Sequence, residues 1–370
     1  MRLRTPLCDL LGLEHPIVQS GMGGVAGPDL VAEVSRAGAL GILAGLNVPP
    51  ADLRTLIRRV REQTDRPFGV NLWLHPAVER PLDPAAIPDA DLRGAQGVLN
   101  RFRARLGLPS VDTRPARLPD FLDEQFQVVL DERVPVFSVA LGNPGPARVE
   151  ACHARGIRVM AMAATVEDAR VLDAAGVDVI VAQGGEAGGH RSAWREVSTP
   201  EAVTVGTLAL VPQVVDAVRT PVVAAGGIAD GRGLAAALAL GASGVLLGTR
   251  FVATRESAAA EFWKKHLLER EAEATTVTRA FSGLWARALA NTFSREYAAS
   301  GAPVLPPLLH RTAANDVYLA AARAHNAEYY PMWAGASVGL IRDLPGAAEV
   351  VERIVTEALG VLRRLQEGTR

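Results

Sequence analysis

Short apolar runs alternate with longer amphipathic stretches along the first 250 or so residues. Residues 16–19 (PIVQ), 39–43, 68–72 (FGVNL), 136–140, 158–161, 177–182, 221–225 and 244–247 are too short for helices. They are also rich in β-branched residues, so they predict eight strands. Between them the spacing predicts helices over 28–37, 51–63, 145–155, 165–175, 202–218 and 231–240. Pro28 sits in the first turn of the first of these, and Gly38 just past its end. An excursion over 75–134, rich in Pro and Arg with helical pieces near 95–106 and 121–131, is too long for a βα loop and predicts a cover over the functional mouth.

Strict βα alternation means parallel strands, and runs such as VDVIVA and PVVAA suit strands buried on both faces. Eight units in roughly 250 residues is the size of a closed (β/α)8 TIM barrel. A doubly wound open sheet would carry its Gly-rich phosphate turn after strand one. Gly21, Gly23 and Gly24 stand there, but no acidic residue follows at the ribose-binding distance. The barrel unit is therefore read as 1–253. Residues 254–332 hold helical segments (SAAAEFWKKHLLER, DVYLAAARAHNAEYY) and no strand of barrel type, which predicts a smaller, mainly helical lobe over the C-terminal face. Residues 333–370 form a closing segment and a helix over 346–367. Its stripe of Val351, Ile354, Val355, Ala358, Leu362 and Leu365 is expected to pack on the barrel.

Composition narrows the class. Hydrophobic residues at 49% and charged residues at 21% fit a folded globular enzyme and exclude general disorder. A formal net charge of −1 gives no global attraction to nucleic acid or anionic membrane. Cys8 and Cys152 make no C-x-x-C pair and no disulfide framework, so reduced thiols in a cytoplasmic protein are expected. The start, MRLRTPLCDLLGLEHP, is basic but lacks the apolar run of a signal peptide. No uninterrupted apolar stretch reaches the roughly 18 residues of a membrane span.

In such a barrel the chemistry sits at the C-terminal strand ends. That rule selects Gln19, Ser20, Gly21 and Met22 after strand one, Asn71 at strand three and Gln183 at strand six. It adds Gly226 and Gly227 after strand seven, and Gly248 and Thr249 after strand eight. Glycines at the last two ends let backbone N–H groups approach a phosphate, helped by a helix starting near Asp230. The segment 182–192 (AQGGEAGGHRS), with four glycines, predicts a loop with neither strand nor helix. It presents His190, suited to general-base work near neutral pH. Glu186 reads as a structural carboxylate bonded to loop backbone or an arginine. The other six histidines (His15, His75, His153, His266, His310, His325) show no metal-ligand spacing, and no metal is expected.

VAQGGEAGGHRS and PVVAAGGIADGRGLAAALALGASGVLLGTRF resemble the nitronate monooxygenase (2-nitropropane dioxygenase) family. HPIVQSGMGG, FGVNL and YYPMWAGASVGL are similar to further blocks of it, so the resemblance spans residues 5–255 and 275–345. EAGGHR and AAGGIADG are shared with a sister family, the flavin-dependent enoyl-acyl carrier protein reductases. The resemblance implies FMN contacts at Gln19, Ser20, Gly21, Met22, Asn71, Gln183, Gly188, Gly227, Leu246, Leu247, Gly248 and Thr249, with His190 as catalytic base. Three positions depart from the family pattern: Leu246 where Gln is frequent, Ser192 where Gly follows the HR pair, and Ala336 where the late block reads W-A-G-Q.

What the resemblance implies first is FMN- and O2-dependent oxidation of alkyl nitronates or nitroalkanes to a carbonyl compound and nitrite. The second reading is an NAD(P)H-dependent flavin reductase for an enoyl thioester or quinone-like substrate. ALGNPG at 140–145 resembles the sister family, and WAGAS suits the monooxygenase side. A third is a barrel that binds flavin or phosphate without turnover. The expected partners are a small-molecule substrate and O2, with no nucleic acid or membrane, and with a homodimer left open.

Overall fold

The structure is a computed structural model and describes residues 3–195 and 197–368. The extreme ends of the first and last segments read from the sequence lie outside the described residues. Eight parallel strands form the barrel: β1 (Ile17–Gln19), β2 (Gly41–Ala44), β3 (Phe68–Trp73), β4 (Val136–Ala140), β5 (Arg158–Ala163) and β6 (Val179–Gln183). After a two-residue strand β7 (Gly189–His190) that lies outside the barrel, β8 (Val222–Ala225) and β9 (Gly244–Leu247) complete it. Hydrogen-bonded neighbours run β1-β9-β8-β6-β5-β4-β3-β2. The ring closes between β1 and β2 through a single bridge, Val18 to Leu40. The Gln19 side chain reinforces that seam, its Oε1 accepting from Ile42 N at 3.1 Å and its Nε2 donating to Ile42 O at 3.3 Å.

The twofold period of the strands sorts their side chains into two layers. Val18, Ile42, Val136, Met160, Val179, Val181, Val223, Ala225 and Leu246 point inward. Ile17, Leu43, Val70, Phe137, Val139, Val159, Ile180, Val222, Val245 and Leu247 point outward into the helix layer. A helix absent from the sequence reading, Pro6–Leu11, plugs the N-terminal end, placing Leu7, Cys8 and Leu11 in the inner layer. Each such aliphatic side chain stabilises by about 1.5–3 kcal/mol on full burial.

The eighth helical position of the barrel is filled by Ala347–Gly368, which packs on Gly231–Ala239 and Pro28–Arg36. Its buried face is Ala347, Val350, Val351, Ile354 and Ala358. Leu365, expected on this stripe, is 61% exposed because the helix outruns the barrel there.

Between β9 and this last helix the chain builds the lobe, which is not purely helical. Strands β10 (Thr275–Thr278) and β11 (Ala286–Leu289) pair antiparallel, and β11 also pairs with β7. The 182–192 loop therefore does contain a strand, made possible by a partner supplied from about a hundred residues away. The helix Asp89–Arg105 of the long excursion shares a core with this lobe. Leu92, Val98, Leu99 and Phe102 pack with Phe281, Phe293, Tyr297, Val317 and Tyr318. Arg103, almost fully buried, ties the two segments together through Asp316 at 2.7 Å and Ala313 O at 2.6 Å. No helix among the described residues is long and apolar enough to cross a membrane.

Candidate active site

A cleft of about 420 Å³, open to solvent, lies at the C-terminal strand ends. Ser20, Gln183, Gly188, Gly226, Gly227, Leu246, Gly248 and Thr249 line it, joined by Gly335 and Ser337 from the closing segment. The strand-end rule thus brings most of the expected residues to one place.

The ladders flanking the seventh and eighth barrel strands each continue one bond past the strand ends. Gly184 N donates to Ala225 O at 2.8 Å and Ser20 N to Leu247 O at 3.0 Å. Between β8 and β9 no such bond forms. The N–H groups of Gly226, Gly227, Gly248 and Thr249 donate to no group among the described residues, so two loops present unpaired donors to the cleft. Gly226 (φ 108°) and Gly227 (φ 72°) take backbone conformations that only glycine adopts without strain. Converging backbone donors of this kind form an anion cradle. The helix after β8 does not contribute as the sequence suggests. Its first donors are already occupied, Gly231 N by Glu357 Oε2 at 2.8 Å and Arg232 N by Asp230 Oδ1 at 3.0 Å.

Five expected contacts, Gln19, Gly21, Met22, Asn71 and Leu247, do not line the cleft. Gln19 is fully buried, with its amide engaged across the β1/β2 seam. Leu247 points into the helix layer, and its carbonyl is taken by Ser20. Asn71 is buried beneath Gly21 and donates to Ser138 Oγ at 3.0 Å. Met22 closes a tight turn, its carbonyl accepting from Val25 and Ala26 N, and its sulfur lies near Gly248. The Thr249 hydroxyl accepts from Gly335 N at 2.9 Å, pinning the closing segment to the cleft rim. There Gly188 and Gly335 cross in backbone contact; a Cβ on Gly188 would lie 2.5 Å from Gly335 N.

The loop carrying His190 is held from below. Gln183 donates from Nε2 to His190 O at 2.9 Å and accepts at Oε1 from Ser192 N at 2.8 Å. The buried Arg191 guanidinium donates to the carbonyls of Gln183, Gly184, Ala187 and Val203. Glu186, as expected, is structural, accepting from Thr207 N at 2.9 Å and from its hydroxyl at 2.8 Å. Ser192 is fully buried, donating to Met162 O at 3.0 Å and accepting from Leu141 N at 2.9 Å. It anchors the loop to the barrel and does not line the cleft. Ala336 joins the loop only through its backbone, donating to Glu186 O.

His190 itself stands between two aromatic walls that sequence reasoning did not find, Trp73 (ring centres 4.7 Å apart, edge-on) and Trp333 (4.8 Å). Its Nε2 lies 2.9 Å from Ser282 Oγ, and Nδ1 has no partner among the described residues. Burial, with the nearby charges of Arg311 and His75, pulls the imidazole from its ordinary range down to about 3. At neutral pH it is uncharged and able to accept a proton. No three His, Cys, Asp or Glu side chains converge to hold a metal among the described residues.

Residues 4–357 match the family model described as nitronate monooxygenase. The chain is 40% identical to the nitronate monooxygenase of Pseudomonas aeruginosa over 95% of its own length and 98% of the relative's. Among solved structures it is similar to nitroalkane oxidase from Streptomyces ansochromogenes (TM-score 0.87, 35% identity, 97% and 99% of the two chains covered). It is also similar to FabK from Thermotoga maritima (TM-score 0.75, 32% identity, 98% and 99% covered). With the family model matched over nearly its full length, the chain belongs to the nitronate monooxygenase family.

Proposed function

We propose that the protein is an FMN-dependent oxidoreductase that uses O2 to convert alkyl nitronates, or nitroalkanes, into carbonyl compounds and nitrite. The observation that carries the reading is a neutral imidazole without a carboxylate partner, walled by two tryptophans on the loop that also borders an anion cradle. For a neutral nitroalkane, the α-proton passes to His190 and the bond pair stays on the substrate, giving the nitronate. The tryptophan walls keep water from the imidazole. Family membership and the Streptomyces nitroalkane oxidase neighbour support this substrate class.

The cradle suits a flavin mononucleotide. Four unpaired backbone donors at Gly226–Gly227 and Gly248–Thr249 match one terminal phosphate, and the chain has no dinucleotide fingerprint after its first strand. Ser20, Gln183, Gly188 and Leu246 line the same space, with the Met22 sulfur beside Gly248 and Gly21 standing over the buried Asn71. When bound, the flavin would supply the electron acceptor that these side chains lack. A cytoplasmic setting fits two buried, unpaired cysteines.

FabK is the likeness behind the reductase alternative, and it is the weaker one by TM-score. Anaerobic mixing separates the two. Bleaching of the yellow protein by a nitronate but not by NADPH is the expected result, and rapid bleaching by NADPH would overturn it. Acid release and chromatography of the cofactor should yield FMN; FAD would refute the mononucleotide reading.

A further inference from the structure

The closing segment carries one polar side chain that neither the fold nor the chemistry above uses. Among the described residues the buried serines are Ser35, Ser138, Ser192, Ser257, Ser282, Ser294 and Ser337. The first six have hydroxyl partners, in turn Gly41 N, the Asn71 amide, Leu141 N, Ala259 N, His190 and Asn291 N. The Ser337 hydroxyl has none among the described residues, although the residue is only 6% exposed. It is not sealed into the interior as the unpartnered Arg250 Nε and Trp263 Nε1 are. Instead Ser337 lines the cleft together with Gly226, Gly227, Gly248 and Thr249. A buried hydroxyl without a partner is unfavourable, and native folds keep one where something else comes to meet it.

Its position is fixed from both sides. Upstream, Gly335 N donates to Thr249 Oγ and Ala336 N to Glu186 O, each at 2.9 Å. Downstream, Val338 and Ile341 are fully buried in the cluster that holds Trp263, Leu267 and Met332, and Val338 N closes the turn on Gly335 O at 3.0 Å. Ser337 cannot leave the cleft without breaking these contacts. Ala336 beside it brings no polar side chain, so this stretch reaches the cleft with a single hydroxyl.

The chemistry of the cleft says what that hydroxyl meets. No lysine or arginine lines it, and its one carboxylate, Glu186, is already taken by Thr207. The ends of β8 and β9 present donors: four unpaired backbone N–H groups, and the Thr249 hydroxyl, whose oxygen accepts from Gly335 N and whose proton is left over. Neutral donors gathered in this way are completed by an oxyanion, and a hydroxyl adds a further charge-assisted bond to it.

We infer that Ser337 is a cofactor-binding residue, its hydroxyl donating to the phosphate in the cradle from the closing segment, opposite the barrel's own donors. The inference rests on the mononucleotide reading above. Trp333, four residues upstream on the same segment, walls His190 with ring centres 4.8 Å apart. An occupied cradle therefore also ties down the segment that carries one wall of the base.

The test is fluorescence titration of the flavin-free full chain with FMN and with riboflavin, which is the same molecule without its phosphate. The wild type should bind FMN far more tightly than riboflavin. Ser337→Ala should weaken FMN binding about ten- to hundredfold, the loss of one hydrogen bond to a charged group, and leave riboflavin binding unchanged. Unchanged FMN affinity overturns the proposal. An equal loss with both flavins also overturns it, because Ser337 would then be a packing residue. If the wild type itself binds the two flavins equally, the cradle and the mononucleotide reading fail, and this proposal falls with them. Amide hydrogen exchange over residues 333–341 tests the tie to Trp333. FMN should slow it more than riboflavin does in the wild type, and the difference should vanish in Ser337→Ala; a difference that persists in the variant refutes the tie.

Discussion

Replacing His190 by Asn removes the proton acceptor while leaving the loop's framework in place. The β7–β11 pairing, the bond from Gln183 Nε2 to His190 O and the Arg191 contacts all involve backbone atoms of the loop. The local loss is the ring contacts with Trp73 and Trp333, each worth about 0.5–1.5 kcal/mol, which is not enough to unfold a barrel of this size. General-base catalysis contributes about 10²–10⁴-fold. An imidazole held down to about 3 is a weaker base than a free one, so the loss on a neutral nitroalkane should lie at the low end, about 10²-fold. That corresponds to about 2.7 kcal/mol of transition-state stabilisation. A preformed nitronate has already lost the proton, so the variant should keep most of its activity on it. Oxygen-consumption rates on both ionisation states of one substrate, at matched flavin content, make the comparison internal. Equal loss on both would mean that His190 positions the anion, and no loss on either would mean that the base lies elsewhere. The low proton affinity also sets the pH profile. The acid limb of kcat/KM on the neutral nitroalkane should fall well below the ordinary histidine range.

Gly227→Val should abolish flavin binding while the barrel stays folded. Its φ of 72° is strained for a β-branched residue, and a side chain there crowds the cradle; full flavin affinity in the variant would show the cradle is misplaced. Ser192→Gly, which restores the residue frequent in the family, removes the partners of Leu141 N and Met162 O and should destabilise by about 1–3 kcal/mol without changing KM. A changed KM at unchanged thermal midpoint would instead make Ser192 a specificity residue. Stability should fall on acidification from about pH 6.5 towards 4. Burial holds His75 and His310 down to about 4 and His190 to about 3, so the unfolded chain binds more protons than the folded one across that window. Stability is complete above the unfolded value and lost as pH drops through the window; a thermal midpoint that stays flat between pH 7 and 5 would contradict this.

The barrel was legible because its strands are buried on both faces, which leaves VDVIVA and PVVAA as unbroken apolar runs. The strand-end rule selected the glycines that line the cleft, and the glycine-dense loop after the sixth strand singled out His190 as the proposed base. What stayed hidden depends on distant partners. Pro6–Leu11 looks like a surface turn until the open end of a barrel is there to receive Leu7 and Leu11. TTVT and ARAL are four-residue strands with mixed polarity, defined only by each other and by β7. Gln19 and Leu247 lie beside the site in sequence, but the seam and the twofold period turn them away from it. Glu357 takes over the Gly231 donor from 126 residues away, and no local pattern announces that. Trp73, Ser282 and Trp333 meet around His190 for the same reason: three separate segments converge there.

The two halves of the proposed chemistry stand on different foundations. The anion cradle belongs to the barrel, at the ends of β8 and β9, whereas His190 is a rung of the lobe's antiparallel sheet, paired with Ala286 and fastened to Ser282. His190 is held from both sides, by the lobe through Ala286 and Ser282 and by the barrel through Gln183, so a displacement of the lobe strains the seat of the proposed base while the cradle stays with the barrel. The register between acid–base and redox partners is then a property of how the lobe is seated. On the proposed assignment, loosening the lobe would misplace the base before it disturbed the cradle, which would leave an idle protein still able to hold its cofactor.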